Sequence, residues 1–440
     1  MNVEEFKINT NIYCLDKSYD NLPEKIELIK KNSIALVFPE IYQEMCELKS
    51  KIDEKDNSKL WDKAKRYVNP YEIVNVLGTN ILKNETNKKY DNYTPLSRAF
   101  FKLTEIYLTI DIVPNKYKNI SGVIANIAEG PGGFIEALYK QRQINNINDI
   151  YYGITLHSKS RNIPGWGQLQ RRKKHFLNNK NVFLKTGNLY NINTIINYSK
   201  LFEKQKAWLV TCDGGFDYSN DFNNQEKNSR KIIYAEIITT LLIQENGGSL
   251  ICKMFDLFTK FSLQIIYLLN ILYDQVNIIK PLTSRPANSE KYIVSTGFKG
   301  VQPELVKSMI DSLLRWEQIN NDKNNYLKTS TYYPLINIST NVDNNVDNNV
   351  DNNVDNNINN LHLLEDIIIE NIILPNDFIK NIKKINISLT NNQKDYIIKT
   401  LKCIENFENF DLNKKYQKIY SEIWFNKYNI VDKNNLFNKQ

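Results

Sequence analysis

Two lysines and two acids occupy positions where a side chain could do chemistry. Lys253 lies inside the apolar run ICKMF, and Asp213 directly follows the apolar run AWLVTC. Lys102 lies in the helical pattern LSRAFFKLTEI, and Glu290 lies in PLTSRPANSEKYIV, between two apolar runs. A buried lysine near another cation has a lowered pKa and can accept a proton. Taken singly, each residue also has a structural explanation, such as a snorkelling lysine, a solvated helix face or a surface turn.

A glycine-rich turn is a second candidate site. The stretch IAEGPGGF, residues 127–134, follows a strand pattern and opens a helical one. Glycines there let the backbone approach a ligand, and the helix N-terminus supplies N–H donors and a positive dipole. The stretch is neither GxGxxG nor a P-loop, since no GK[ST] follows. A tight strand-to-helix turn explains the glycines equally well, whereas Pro-Gly-Gly-aromatic after an apolar strand resembles the S-adenosylmethionine turn of methyltransferases.

From about residue 118, short apolar runs alternate with longer helical patterns, which predicts an α/β sheet. The predicted strands are GVIANI, DIYYGITL, NVFLKTG, AWLVTCDGG, GSLICKMF, QVNIIKP and KYIVSTGF. Between the fourth and fifth strands, SRKIIYAEIITTLLIQENGG predicts a helix with a glycine stop. Asp213 then lies at the carboxyl edge of the sheet, where open α/β sheets bind ligands.

Four segments are predicted along the chain. Residues 1–60 are predicted to be helical, because LPEKIELIKK and IYQEMCELKSKI place apolar residues three and four apart. Residues 61–335 form the α/β domain. Residues 338–360 contain the stretch NVDNNVDNNVDNNVDNN (341–357), which repeats with a period of four and predicts a disordered linker. Residues 361–440 return to helical periodicity and predict a tail that forms a small helical domain or docks on the core.

Composition limits the class of protein. The 440 residues carry a net charge of +8, a mild basic excess that is compatible with a phosphate-bearing partner. The five cysteines are scattered without a CxxC pair, which favours reduced thiols, and neither they nor the three histidines are spaced as metal ligands. No apolar run is long enough to span a bilayer, and the N-terminus does not resemble a signal peptide. We therefore expect a soluble, cytoplasmic protein with no metal and no membrane partner.

Taken together, Lys102, Asp213, Lys253 and Glu290 match in chain order the Lys-Asp-Lys-Glu tetrad of the FtsJ-like RNA ribose 2′-O-methyltransferases. The chain further resembles the cap-specific mRNA (nucleoside-2′-O-)-methyltransferases in NPYE (residues 69–72), SRAFFKL, GPGGF, DGGF, GGSLICKMFDLFTKFS and SRPANSEKYIV. The resemblance extends over roughly residues 60–300, about half of the chain. It implies a class I S-adenosylmethionine-dependent methyltransferase fold. This is a Rossmann-like, mostly parallel sheet with one antiparallel strand, flanked here by helical N- and C-terminal segments.

The resemblance implies transfer of a methyl group from S-adenosylmethionine to a ribose 2′-hydroxyl of RNA, at the capped 5′ end of mRNA. Because the sulfonium methyl is already activated, catalysis requires alignment and a base for one proton. Lys253 would accept the proton, with its pKa lowered by burial and by Lys102. Asp213 would hold Lys253 and favour the sulfonium, while Lys102 and Glu290 would orient the hydroxyl and the lysine.

The same resemblance implies residues that bind the two substrates. The cofactor would be contacted by the glycine turn, two asparagines and one tetrad acid, namely Asn126, Glu129, Gly130, Pro131, Gly132, Gly133, Phe134, Asn188 and Asp213. Asn126 stands where many members have an acid, Glu129 where a small residue is usual, and Asn188 where an adenine-contacting acid often lies. The RNA would be contacted by Lys65, Ser97, Asn223, Gln225 and Arg285. The basic run RRKKHF (171–176) suits phosphates, but a solvated loop explains it as well.

Two other functions remain open from the sequence. One is a ribosomal or transfer RNA 2′-O-methyltransferase, because the tetrad is shared across the superfamily. The other is a non-catalytic RNA-binding subunit of a capping or polymerase complex. The intact tetrad argues against this role, but the departures at Asn126 and Asn188 keep it open. The implied partners are RNA and the capping or transcription machinery. The Asn-rich composition is typical of an AT-rich genome and favours a member from a large DNA virus, located in the host cytoplasm, a viral factory or the virion.

Overall fold

A computed structural model describes residues 10–17, 20–31, 33–52, 54–74, 95–158, 163–173, 180–215, 222–316, 318, 366–405 and 411–428. The strands are β1 (Asn11–Cys14), β2 (Leu28–Lys31), β3 (Val123–Ile127), β4 (Ile150–Thr155), β5 (Val182–Thr186), β6 (Ala207–Cys212), β7 (Gln244–Met254), β8 (Tyr273–Lys280), β9 (Lys291–Phe298) and β10 (Asp366–Ile369). The helices are α1 (Pro39–Ser50), α2 (Lys55–Val68), α3 (Ala99–Thr109), α4 (Gly133–Gln143), α5 (Gly167–Lys173), α6 (Ile192–Ser199), α7 (Gln225–Ile243), α8 (Lys260–Leu272), α9 (Pro303–Leu314), α10 (Asn376–Glu405) and α11 (Asp411–Lys427).

Eight strands form one sheet in the order β1-β8-β9-β7-β6-β3-β4-β5. Strands β5, β4, β3, β6 and β7 are parallel to one another, and β9 runs antiparallel between β7 and β8. Strand β6 is buried along its whole length, as is usual for a parallel strand covered on both faces. The predicted Rossmann-like, mostly parallel sheet with an antiparallel strand is therefore confirmed.

The order of the strands creates a crevice at one edge of the sheet. From the central strand β3 the chain moves outward through β4 to β5, and then returns to β6 on the opposite side of β3. Open α/β sheets bind ligands outside the carboxyl ends of their strands at such a reversal. The glycine turn follows β3 and Asp213 follows β6, so both lie at this edge.

The N-terminal segment is not wholly helical, which corrects the prediction for residues 1–60. The pattern IYQEMCELKSKI does form α1, but LPEKIELIKK contributes β2, which pairs antiparallel with β10. Ile26 and Leu28 are both buried, and their spacing of two fits a strand once a distant partner strand is available. Strand β1 adds an antiparallel edge to the main sheet beside β8, so the sheet has one more antiparallel strand than predicted.

The C-terminal tail is mainly helical, as predicted, through α10 and α11. Its first part is strand β10, because the run of β-branched isoleucines, buried along its length, fits a sheet better than a helix. The expected glycine stop after α7 is also wrong. The helix ends at Ile243, β7 begins at Gln244, and Gly247 lies inside β7 with a positive φ of 79°.

The predicted linker, residues 338–360, lies outside the described residues, and the boundaries 61–335 stay a prediction. None of the helices in the described ranges is both long and apolar enough to cross a membrane.

Candidate active site at the carboxyl edge of the sheet

Four separate elements bring the predicted tetrad together. Lys102 lies in the first turns of α3, Asp213 follows β6, Lys253 lies near the end of β7, and Glu290 precedes β9. The Lys102 Nζ atom lies 2.6 Å from Glu290 Oε1, and the Lys253 Nζ atom lies 3.1 Å from Asp213 Oδ1. Lys253 also donates to the Asp213 carbonyl oxygen at 2.7 Å. The four side chains therefore form two ion pairs, each largely shielded from solvent.

Tyr292, which the sequence analysis did not single out, joins the two pairs. Its hydroxyl donates to Glu290 Oε1 at 2.9 Å and lies 3.4 Å from Asp213 Oδ1. The residue is fully buried in β9 opposite Lys253 in β7. Burial, with the charges of Asp213 and Glu290, raises the pKa of Tyr292 well above its usual value, so the hydroxyl stays protonated. The spacing Glu-x-Tyr at the start of a strand, which puts both side chains on one face, was the available sequence signal.

The charges of the site act on each other. Burial alone would raise the pKa of Glu290, but the charges of Lys102, Lys253 and Lys280 outweigh it and lower that pKa well below its usual value. Burial alone would lower the pKa of Lys253, but Asp213 and Glu290 outweigh it and raise that pKa. The expectation that burial and Lys102 lower the pKa of Lys253 is therefore wrong for this structure, because its carboxylate neighbours dominate.

A further buried acid, Glu236 of α7, supports the turn after β6. Its Oε1 accepts from the Gly214 amide at 2.8 Å, and its buried Oε2 has no hydrogen-bond partner among the residues that the structure describes. Burial raises the pKa of Glu236 to about 8, against the opposing charge of Lys253. The Glu236 carboxylate and the thiols of Cys212 and Cys252 have ligand atoms within 4.8 Å of one another. These are three potential ligands, whereas structural zinc sites use four protein ligands. The expected absence of a metal stays a prediction.

The glycine turn is held by a carboxylate. Glu129, predicted to contact the cofactor, turns back onto α4 and accepts from the amides of Phe134 at 2.6 Å and Ile135 at 3.4 Å. Gly132 precedes the helix at a φ of 107°, in the left-handed region that favours glycine. A Cβ atom at Gly130 would collide with the Pro164 carbonyl oxygen. The turn therefore has a fixed backbone into which the loop after β4 packs closely.

Three other predicted contact residues, Asn126, Ser97 and Asn188, differ in their burial and hydrogen bonding. Asn126 is fully buried and donates to Thr211 Oγ1 at 2.7 Å, while its Oδ1 has no partner within the described part of the chain. Ser97, predicted to contact RNA, has a buried Oγ atom that likewise lacks a partner there. Asn188 is exposed after β5, and its Oδ1 accepts from the Tyr190 amide at 2.9 Å in a local turn.

Arg285, predicted to contact RNA, is held by Glu72 of the NPYE stretch. Its Nε and Nη2 atoms lie 3.0 and 2.8 Å from the two carboxylate oxygens of Glu72. Arg98, which the sequence analysis did not single out, lies 3.1 Å from the same carboxylate. Burial would raise the pKa of Glu72, but the hydrogen bond from Arg285 and the charges of Arg98 and Arg285 lower it. The stretches NPYE and SRPANSE are therefore joined directly by an ion pair.

The remaining predicted RNA residues are dispersed around this edge. Gln225 Oε1 accepts from Ser289 Oγ, next to the tetrad acid Glu290. Asn223 lies 3.4 Å from Ser50 Oγ of α1. Lys65 pairs with an acid one turn earlier on α2. Of the run RRKKHF, only the first three residues fall in the described part of the chain, in α5.

Comparison with known proteins gives a consistent result. Residues 95–298 match the family of FtsJ-like methyltransferases. The chain is 32% identical over 210 residues to cap-specific mRNA (nucleoside-2′-O-)-methyltransferase 1 of Trypanosoma cruzi, which covers 46% of this chain and 57% of that protein. It is 27% identical over 283 residues to the protein of the same name from Dictyostelium discoideum, over 60% of this chain and 35% of that protein. It is also 30% identical over 198 residues to an inactive cap-specific mRNA (nucleoside-2′-O-)-methyltransferase 1B of Caenorhabditis briggsae, over 43% of this chain and 23% of that protein.

Each of these alignments spans less than two thirds of the relative's own length. Among solved structures, a ribosomal RNA methyltransferase from Plasmodium falciparum aligns with 47% of this chain and 99% of its own, with a TM-score of 0.34 and 20% identity. The strand order and the match over residues 95–298 together make this a class I methyltransferase fold.

Proposed function

We propose that the chain transfers a methyl group from S-adenosylmethionine to a ribose 2′-hydroxyl of RNA. The assembled tetrad carries this proposal: Lys102, Asp213, Lys253 and Glu290 meet in one largely buried site beside the glycine turn. The match of residues 95–298 and the names of the relatives support it.

The residues around the turn suit S-adenosylmethionine. Two buried oxygen atoms near the turn, Asn126 Oδ1 and Ser97 Oγ, lack partners within the described ranges and can bond a polar ligand. The Asp213 carboxylate at the same edge suits a positively charged sulfonium. When bound, the cofactor supplies an activated methyl group, so that the protein has to provide alignment and a proton acceptor. We infer that Asn188, Asp213 and the turn from Glu129 to Phe134 hold it.

Lys253 is the proposed proton acceptor, and its surroundings set the conditions for that role. Its Nζ is fixed by the carbonyl and the carboxylate of Asp213. Because its pKa is raised, most Lys253 is charged near neutral pH, and loss of that proton has to precede catalysis. Binding of a cation nearby lowers the pKa of a lysine. We infer that the Lys102–Glu290 pair, with Glu290 ionised, orients the hydroxyl.

We further propose that the RNA is the capped 5′ end of mRNA, and that the chain works with capping or transcription machinery. The printed names of the relatives support the cap assignment. The ion pair between Arg285 and Glu72 supports it too, because it joins the two stretches, SRPANSE and NPYE, that tilt the resemblance towards cap-specific members. Viral origin and cytoplasmic location stay predictions.

A non-catalytic RNA-binding role is a second candidate, favoured by the inactive relative that is 30% identical over 198 residues. Transfer of labelled methyl groups to capped, uncapped and structured RNAs separates the possibilities, with Lys253→Ala as the control for background. We expect transfer to capped RNA. Equal transfer to uncapped RNA would refute the cap assignment, and preferential transfer to structured RNA would favour a ribosomal or transfer RNA substrate. RNA binding without any transfer would favour the non-catalytic role.

A further inference from the structure

Side chains of helix α3 bind both ends of the loop between β8 and β9, residues 281–290. At its start, Glu105 accepts from the amides of Leu282 at 2.7 Å and Thr283 at 3.1 Å, and from the Thr283 hydroxyl at 3.0 Å. At its end, Lys102 pairs with Glu290 at 2.6 Å. Lys102 and Glu105 lie three residues apart on α3 and therefore on one face of it. The position of Glu290 thus depends on α3 through both contacts.

The Glu105 carboxylate also accepts hydrogen bonds from two residues that are distant in sequence, Thr10 and Trp424. Its carboxylate accepts from Thr10 Oγ1 at 2.7 Å and from the indole Nε1 of Trp424 at 3.2 Å. The residue is fully buried, and burial raises its pKa, so the ionised form depends on these donors. Loss of one donor leaves the buried carboxylate short of a partner, which destabilises the arrangement in which Glu105 holds the loop.

Residues of the C-terminal tail also contact helix α3, the NPYE stretch and the loop 281–290 itself. Trp424 is fully buried, with its ring centroid 5.8 Å from that of Phe101 on α3. Gln417 donates to the Asn69 carbonyl oxygen at 2.9 Å, at the start of NPYE. Gln393 donates to the Ala287 carbonyl oxygen at 3.3 Å, within the loop itself. These polar contacts go to the loop, to NPYE and to Glu105, and none of them reaches the glycine turn.

We propose that the C-terminal helices α10 and α11 position the RNA-facing loop 281–290, with Trp424 acting on it through Glu105. The tail lies outside residues 95–298, which match the methyltransferase family. The inference rests on the proposed function, because it takes this loop, with Arg285 and Glu290, to face RNA. It makes Trp424 a positioning residue whose loss weakens use of RNA and leaves use of S-adenosylmethionine unchanged.

The test compares Trp424→Phe with Trp316→Phe in the 440-residue chain. Trp316 is a suitable control because it is also buried, but packs against Tyr234 and Phe261, at centroid distances of 5.6 and 6.0 Å, in a different part of the core. We expect amide hydrogen exchange over 281–290 to rise about tenfold in Trp424→Phe, as for the loss of one hydrogen bond to a charged group. The KM for RNA should rise by a similar factor, and the KM for S-adenosylmethionine should change less than about twofold. Trp316→Phe should show none of these changes, even at equal loss of thermal stability.

Three outcomes would overturn the inference: exchange over the loop that matches the control, a KM for RNA that stays unchanged, or equal rises in both KM values. If the wild type transfers no methyl group, the proposed function fails. The positioning inference is then decided by exchange and by binding of fluorescent capped RNA, without turnover. If Trp424→Phe does not fold, Gln393→Met removes the donor to Ala287 with little change in volume and is judged by the same readouts.

Discussion

Replacement of Asp213 by asparagine tests whether carboxylates control the protonation of Lys253. The wild-type site raises the pKa of Lys253 above its ordinary 10.5, with Asp213 as the main raising charge. If neutral Lys253 is the base, fewer than about one molecule in a thousand is active at pH 7.5. The wild-type rate should therefore rise about tenfold per pH unit and keep rising to the top of the accessible range.

The geometry sets the size of the effect. At the 3.1 Å between Lys253 Nζ and Asp213 Oδ1, the pair interacts by about 5 kcal/mol at an effective dielectric constant of about 20. That energy corresponds to a ceiling of about four pKa units. The Glu290 charge remains in the variant, and an asparagine oxygen still accepts from Nζ. We therefore expect the pKa of Lys253 to fall by clearly less than this ceiling, so that the rate of Asp213→Asn levels off at a lower pH than the wild-type rate.

Single-turnover transfer of labelled methyl groups to a short capped RNA, from pH 6 to 10, reads the chemical step. Asp213→Asn can lower the plateau, since the acid also faces the proposed sulfonium site, so the informative quantity is the pH at which the rate levels off. A profile that levels off at the same pH as the wild type, or at a higher one, would refute control by Asp213. A wild-type rate that does not change between pH 7 and 9 would refute the hypothesis that Lys253 is the base and is protonated in the resting enzyme.

Three further results are expected. Lys253→Arg keeps the charge but cannot give up a proton, so its single-turnover rate should fall about as far as that of Lys253→Ala, on the order of 10²- to 10⁴-fold; substantial activity would make Lys253 a positioner. Glu129→Ala removes the acceptor of the Phe134 amide, and denaturant unfolding should show a loss of about 0.5–2 kcal/mol, whereas an unchanged midpoint would contradict the capping role. Arg142→Leu leaves Asp149, its buried partner at 2.5 Å, without a counter-charge and should cost about 3–5 kcal/mol in the same assay; a loss below about 1 kcal/mol would contradict this.

The sheet could be predicted because it follows from local pattern, whereas the meeting of the four tetrad side chains was predicted from the resemblance to the FtsJ-like methyltransferases. Strands such as AWLVTC are continuous apolar runs, and the carboxyl ends of parallel strands meet at one edge. Asp213 and Lys253 come from adjacent parallel strands, which leaves little freedom in their distance. Their catalytic roles, and those of Lys102 and Glu290, stay predictions.

What escaped prediction depends on partners that are distant in sequence. The sequence around β2, taken alone, predicts a helix. It forms a strand because it pairs with β10, more than 330 residues later. Glu105 has no local signal, because its donors come from residues 10, 282, 283 and 424. The pKa of Lys253 was predicted in the wrong direction because burial and one neighbouring cation were weighed without the carboxylates that the fold places around it.

Glu236 makes a prediction that depends on no assumption about catalysis. Its pKa is raised by burial from 4.5 to about 8, so the native state keeps this proton where the unfolded chain has lost it. Its contribution to the free energy of unfolding is therefore fully present below about pH 4.5, declines as the pH rises towards 8, and levels off above that. Between these two pH values the decline amounts to about 1.4 kcal/mol per pH unit.

Glu236→Gln keeps an acceptor for the Gly214 amide but cannot ionise. Urea unfolding of both proteins at pH 5, 6.5 and 8 isolates the effect, because other titrating groups are common to the two. The variant should lose less stability than the wild type between pH 5 and 8. Parallel pH profiles would show that Glu236 is already ionised in the native state, held by the charge of Lys253, and that burial does not dominate its protonation.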